Sequence, residues 1–204
     1  MARVTPGPRL TAEAALRQLL EGNARFVADA ELHPDRGAEL RARLASEQHP
    51  MAVILGCADS RVPPELLFDQ GLGDLFVIRN AGNIVDTMSL ASVEYAVDNL
   101  GVSLVLVLGH ERCGVVTAAL EVAQEGGAVP GHLWNLIDAV HPAIDKPGDG
   151  GDDLLDNVVR AHVANQVALL RRADPIVSRA VKSGTVQVMG ARYDIDRGQV
   201  EILV

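Results

Sequence analysis

The chain has 204 residues, a formal net charge of −9 and an apolar share of 48%. That length suits one substantial core, with or without an added arm. The acidic balance argues against nucleic acid as a partner, and the longest apolar run, residues 102–108, is too short to cross a bilayer. Aromatic residues are scarce at 3%, so the core must rest on Val, Leu, Ala and Ile. The opening stretch MARVTPGPRLTAEAAL carries no apolar segment of the secretory kind, and two cysteines are too few for a disulfide framework. A reducing cytoplasm is the expected setting.

Residues 11–27 place Leu16, Leu19, Leu20, Phe26 and Val27 at helical spacing and predict an amphipathic helix. The charged segment 35–47 predicts a second. Together residues 1–47 read as a helical arm that packs on its own domain or lies across a partner subunit. From residue 51 the pattern alternates. Strands are predicted at 51–56, 75–79, 102–109, 185–190 and 199–204, and helices at 87–100, 114–124, 133–144, 154–172 and 175–181. Strands separated by helices imply right-handed crossovers, hence an α/β fold with a mainly parallel sheet. The short connection through Asp196-Arg197-Gly198 makes the fifth strand antiparallel to the fourth. The tract KPGDGGDD at 146–153 reads as a surface loop within one domain spanning 1–204, whose core is 48–204.

Both cysteines sit in metal-ligand spacing, Cys57 in CADSR and Cys113 in HERCG. Each cluster follows a run of branched aliphatics, which is how an α/β protein builds a site at the carboxyl edge of its sheet. Cys57, His110 and Cys113, with Asp59 as a fourth donor, suit zinc rather than the oxygen-loving cations. Cys113 falls at a helix N-terminus, which favours its thiolate. Three readings fit this spacing: a catalytic zinc, a closed zinc that only staples the fold, or buried thiols beside a core histidine. Arg61 favours the first. A guanidinium that grips Asp59 through two parallel hydrogen bonds draws that carboxylate off the metal and opens a fourth position. Two thiolates and a neutral imidazole cancel the charge of Zn²⁺, and a water on that centre still ionises far below bulk water. Asp59, kept ionised by Arg61, is then placed to accept the hydrogen of a zinc-bound hydroxide.

CADSRVPPE at 57–65, RNAGN at 79–83, EYAV at 94–97 and GHERCG at 109–114 resemble a β-class carbonic anhydrase, and ALRQLLEGNARF is similar to that family's opening helix. The resemblance covers nearly the whole chain. It implies reversible hydration of carbon dioxide to bicarbonate and a proton, with one Zn²⁺ per chain on Cys57, His110 and Cys113. It assigns Asp59 and Arg61 to the catalytic dyad, and it implies a closed state in which Asp59 joins the metal. By similarity Gln48, Phe76 and Tyr95 line the substrate pocket; Phe76 and Ala81 would offer an apolar wall for CO₂ and Gln48 an amide to the product. The resemblance implies a homodimer or a dimer of dimers with pocket residues shared between subunits. Members with a regulatory bicarbonate site carry tryptophan three residues before the first cysteine, where this chain has Ile54, so that site is expected to be missing. Val115 is a slight departure that leaves the ligands intact. His132 and His141 have suitable acidity to carry the proton, but nothing puts them in the site. A hydrolase of carbonyl sulfide or carbon disulfide is the nearest rival, and a zinc-holding or anion-binding protein the rival from another class.

Overall fold

The computed structural model describes residues 10–34, 37–148 and 151–204. Helix α1 (Ala12–Val27) is capped by the Thr11 hydroxyl, which accepts from the Ala14 amide, and a short α2 (Ala38–Leu44) follows. Asp35 and Arg36 of the predicted second helix lie outside the described residues, as do Asp149 and Gly150 of the predicted loop. The central elements are β1 (Ala52–Cys57), α3 (Pro64–Leu67), β2 (Leu75–Asn80), α4 (Thr87–Tyr95) and β3 (Leu104–His110). Then come α5 (Gly114–Glu125), α6 (Leu133–Asp145), α7 (Leu154–Arg172), α8 (Ile176–Lys182), β4 (Gln187–Tyr193) and β5 (Val200–Ile202). No helix among the described residues is long and apolar enough to cross a membrane.

The five strands lie in the order β2-β1-β3-β4-β5, parallel except for the antiparallel β4–β5 pair, as the alternation of strands and helices predicts. Every residue of β1 and of β3 is buried, because helices cover both faces of the sheet. Period-two alternation splits β3 cleanly: Leu104, Leu106 and Leu108 face one apolar cluster, while Val105 and Val107 face the other. The first cluster takes in Leu19, Phe68, Val116 and Val140; the second takes in Val93, Val163, Val167 and Val177.

Beyond small shifts at several element ends, three departures from the sequence reading stand out. The predicted helix 87–100 is α-helical only to Tyr95 and then widens into a π turn over Ala96–Leu100, closed by Gly101 at φ 71°. The segment Pro64–Leu67 adds a helical turn that no periodicity announced. The fourth strand runs to Tyr193 rather than stopping at Gly190, because the Arg192 guanidinium is matched by Glu111 and Asp156 and can therefore be buried at 7% exposure.

Helix α1 is seated on the core rather than loose. Its Asn23 amide donates to the carbonyls of Leu67 and Gly198 and accepts from the Val200 amide. Gly22 allows the approach: a Cβ there would stand 1.8 Å from the Phe68 carbonyl oxygen. Gly22→Ala is expected to destabilise the fold by about 3 kcal/mol, read as a lower urea midpoint at unchanged slope. A midpoint that does not move would mean that α1 is not packed where the core places it.

Candidate active site

The sheet order decides the site. Because β1 and β3 are neighbours, with Gly56 opposite Leu108, Cys57 at the end of β1 comes level with the end of β3, where His110 lies. The chain then turns through Arg112, at φ 48°, so that Cys113 becomes the residue preceding α5. The ligand atoms of Cys57, His110 and Cys113 all lie within 4.8 Å of one another, and all three residues are buried.

Two features of this trio fit a tetrahedral cation. The sulfurs are 4.0 Å apart, close to the separation of about 3.8 Å that two Zn–S bonds of ~2.3 Å subtend at a tetrahedral angle. His110 holds Nδ1 at 2.8 Å from the Glu111 carbonyl. A carbonyl only accepts, so Nδ1 carries the hydrogen and Nε2 presents its lone pair inward. That Nε2 is buried and has no hydrogen-bond partner among the described residues. Glu111 is itself anchored, its carboxylate accepting from Arg192 and from the Ile195 amide.

The two sulfurs are linked through their mutual hydrogen bond. Hydrogen bonding with Cys113 and with the amides of Asp59 and Gly82 draws the Cys57 thiol well below its ordinary range despite burial. Cys113 is pushed up, first by its hydrogen bond with Cys57 and then by burial. The helix N-terminus does act on Cys113 as its position predicts, through the amides of Val115 and Val116, but Cys57 outweighs it.

Asp59 faces the trio without joining it. Its Oδ2 is 3.9 Å from His110 Nε2. Both carboxylate oxygens are taken by Arg61: Nε and the backbone amide donate to Oδ1 at 2.9 Å each, and a terminal nitrogen to Oδ2 at 2.7 Å. That grip holds the Asp59 carboxyl far below the usual carboxylate range. Arg79 fixes the strand-end loop from beneath, donating to the carbonyls of Cys57 and Asp59. In the sequence Arg79 has no role beyond its motif; a basic residue four positions after a predicted strand begins has no local sign of where it reaches.

The predicted pocket residues divide. Ala81 adjoins Gly82, whose amide lies 3.4 Å from the Cys57 sulfur. Phe76 pairs with Val53, four residues before Cys57, so it sits about 13 Å down the strand from the trio. Its ring lies 6.1 Å from that of Tyr95, and Tyr95 lines a cleft with the exposed Gln48. Within one chain, then, Gln48, Phe76 and Tyr95 group together but away from the cysteines. Ile54 is fully buried in the middle of β1. His141 is exposed on α6, beside Asp145.

Comparison with known proteins agrees with this geometry. The carbonic anhydrase family pattern matches residues 52–200. A carbonic anhydrase of Mycolicibacterium smegmatis is 42% identical over 195 residues, covering 96% of this chain and 95% of that protein. Among solved structures, the Coccomyxa β-carbonic anhydrase in complex with acetazolamide is 32% identical, with a TM-score of 0.71 over 92% of this chain and 86% of that one. Tetrameric β-carbonic anhydrases from Sordaria macrospora give 26% identity and a TM-score of 0.70, over 92% and 96% of the two chains. With those motifs set on this sheet edge, the chain belongs to the β-class carbonic anhydrases, a family of enzymes.

Proposed function

We propose that this enzyme hydrates carbon dioxide reversibly to bicarbonate and a proton, with Zn²⁺ held by Cys57, His110 and Cys113. The observation that carries the reading is the inward, unpartnered Nε2 of His110 beside two sulfurs, with Asp59 turned onto Arg61 instead of completing a fourth ligand. Zinc bound there would supply a Lewis acid that makes a coordinated water acidic enough to act near neutral pH. The protein's own part is to aim that water. Asp59, ionised and clamped, accepts its hydrogen and fixes the direction of its lone pair, while Ala81 offers an apolar surface to CO₂. Arg61 keeps the carboxylate from closing the site.

A second copy completes the pocket in this reading. Gln48, Phe76 and Tyr95 group about a β2 edge whose residues are none of them fully buried, and Met88 and Tyr95 on α4 are exposed at 74% and 37%. The solved relatives described as tetrameric make such an assembly reasonable. The chain is expected to sediment as a dimer or larger, and full activity in a monomer would count against the shared pocket. Two free, buried thiols in the site accord with a cytoplasmic setting.

The direct test is stopped-flow hydration of CO₂ with metal analysis of the same sample, run beside assays with carbonyl sulfide and carbon disulfide. Zinc near one per chain and rapid CO₂ turnover support the reading. A fully active preparation without metal overturns it, and turnover of the sulfur analogues alone would transfer the site to the rival substrates. With Ile54 in place of a tryptophan, the dependence on substrate is expected to be hyperbolic in the presence of added bicarbonate; cooperative inhibition would show the regulatory site to be present after all.

A further inference from the structure

The inner face of α7 reaches the metal trio through hydrogen bonds that the reaction outlined above does not use. His162 and Gln166, one turn apart on that helix, are 1% and 2% exposed. His162 Nε2 lies 2.8 Å from the Gly82 carbonyl. That oxygen only accepts, so Nε2 bears the hydrogen, and Nδ1 is left as an acceptor facing the Gln166 amide nitrogen at 3.5 Å. Gln166 Oε1 accepts from the Val85 amide at 2.8 Å. The two side chains thus hold both ends of the 82–85 loop, while Asn80 clasps Ile84 from the other side with two contacts of 2.7 Å.

What this loop presents is the Gly82 amide, 3.4 Å from the Cys57 sulfur, alongside the Asp59 amide at the same distance. Gly82 is at φ +80°, and a Cβ there would come within 3.0 Å of a Val115 methyl. Glycine is therefore needed, yet glycine is the residue least able to hold its own orientation. Its amide and its carbonyl belong to two different peptide groups joined at one Cα. A bond to the carbonyl acts on the amide by fixing how the residue is turned, not by polarising a shared peptide.

We propose that His162, braced by Gln166, is a positioning residue: it sets the Gly82 N–H on the Cys57 sulfur and so tunes that sulfur as a metal donor. A hydrogen bond to a thiolate withdraws electron density, which sets the charge-transfer energy, and it holds the sulfur in its ligating position; outer partners that orient a ligand in this way change metal affinity or activity by about 10- to 100-fold when removed. This inference rests on the metal reading of the trio.

The test uses the full chain loaded with Co²⁺, whose thiolate-to-metal charge-transfer band reports the sulfur directly. His162→Leu is expected to move that band to lower energy and to weaken metal binding about 10-fold or more in a chelator competition. His162→Gln, which returns an N–H near the Nε2 position, should restore most of both. Val167→Ala, a buried change on α7 outside the hydrogen-bond chain, should lower thermal stability and leave the band in place. A wild-type band and affinity in His162→Leu overturns the proposal, as does the same band shift in Val167→Ala. Should the leucine variant fail to fold, long-range ¹⁵N spectra of the wild-type imidazole decide: a neutral ring protonated at Nε2 is expected, and one protonated at Nδ1 overturns it. A wild-type protein that takes up no cobalt instead overturns the metal reading, and this inference with it.

Discussion

Cys113→Ala is expected to leave the chain folded, nearly free of metal and without CO₂ hydration. The change removes only a sulfur. Cys113 precedes α5 without capping it through its side chain, so the helix loses no bond of its own. The site loses one of three protein donors. Structural zinc sites hold their ion by about 10–16 kcal/mol through four ligands, so one donor is worth roughly 3–4 kcal/mol, or two to three orders of magnitude in affinity. Zinc measured after dialysis against a mild chelator should fall from near one per chain to a trace, and activity should fall with it. Retention of both would remove Cys113 from the site. Partial rescue by Cys113→Ser or Cys113→His would fit, since either returns a donor atom at that position.

The parts of this molecule that the sequence makes legible are those decided locally. The strands β1 and β3 announce themselves because a strand buried on both faces must be a near-continuous aliphatic run, as in Val53 to Leu55 and Leu104 to Leu108. Helix α7 could be read to its ends because Asp153 caps it, accepting from the Asp156 amide, and Arg171 and Arg172 close it. The clustering of Cys57, His110 and Cys113 is legible for a similar reason: each ends a strand or precedes a helix, and the chain has no other cysteines. The parts settled by distant partners are not. Arg192 looks like the end of a strand until Glu111, 81 residues away, is seen to neutralise it. Nothing beside His162 in the sequence points to its partner, the Gly82 carbonyl 80 residues back. The π turn at Ala96–Leu100 has no composition of its own; it exists because the Gly101 amide reaches back to Ala96.

Asp59→Asn is expected to lower kcat by about two to four orders of magnitude while zinc stays bound, because the change deletes a charge and keeps the shape. An amide still offers one acceptor oxygen to Arg61, but it can no longer hold a guanidinium at both corners or draw the hydrogen of the attacking water with a full negative charge. The pH dependence separates this role from a merely structural one. The Arg61 hydrogen bond, the largest cause, depresses the Asp59 carboxyl in the folded chain. A depressed carboxyl contributes stability that is present above the unfolded value of ~3.9 and is lost only as pH falls through the lower folded value. Asp59 therefore stays ionised from alkaline conditions down to about pH 4, and the acid limb of the rate profile does not belong to it. The asparagine variant should accordingly show a much lower plateau with an acid limb at an unchanged position. Arg61→Lys is the complementary change: a point charge cannot reproduce the planar grip on both oxygens, and Oδ2, only 3.9 Å from His110 Nε2, would be freed toward any cation that the trio holds. That variant should lose activity near neutral pH through closure, visible in a cobalt-loaded sample as an added carboxylate ligand. Near-full activity in Asp59→Asn, or an Arg61→Lys spectrum identical to wild type, would leave the pair as an ordinary ion pair with no part in the reaction.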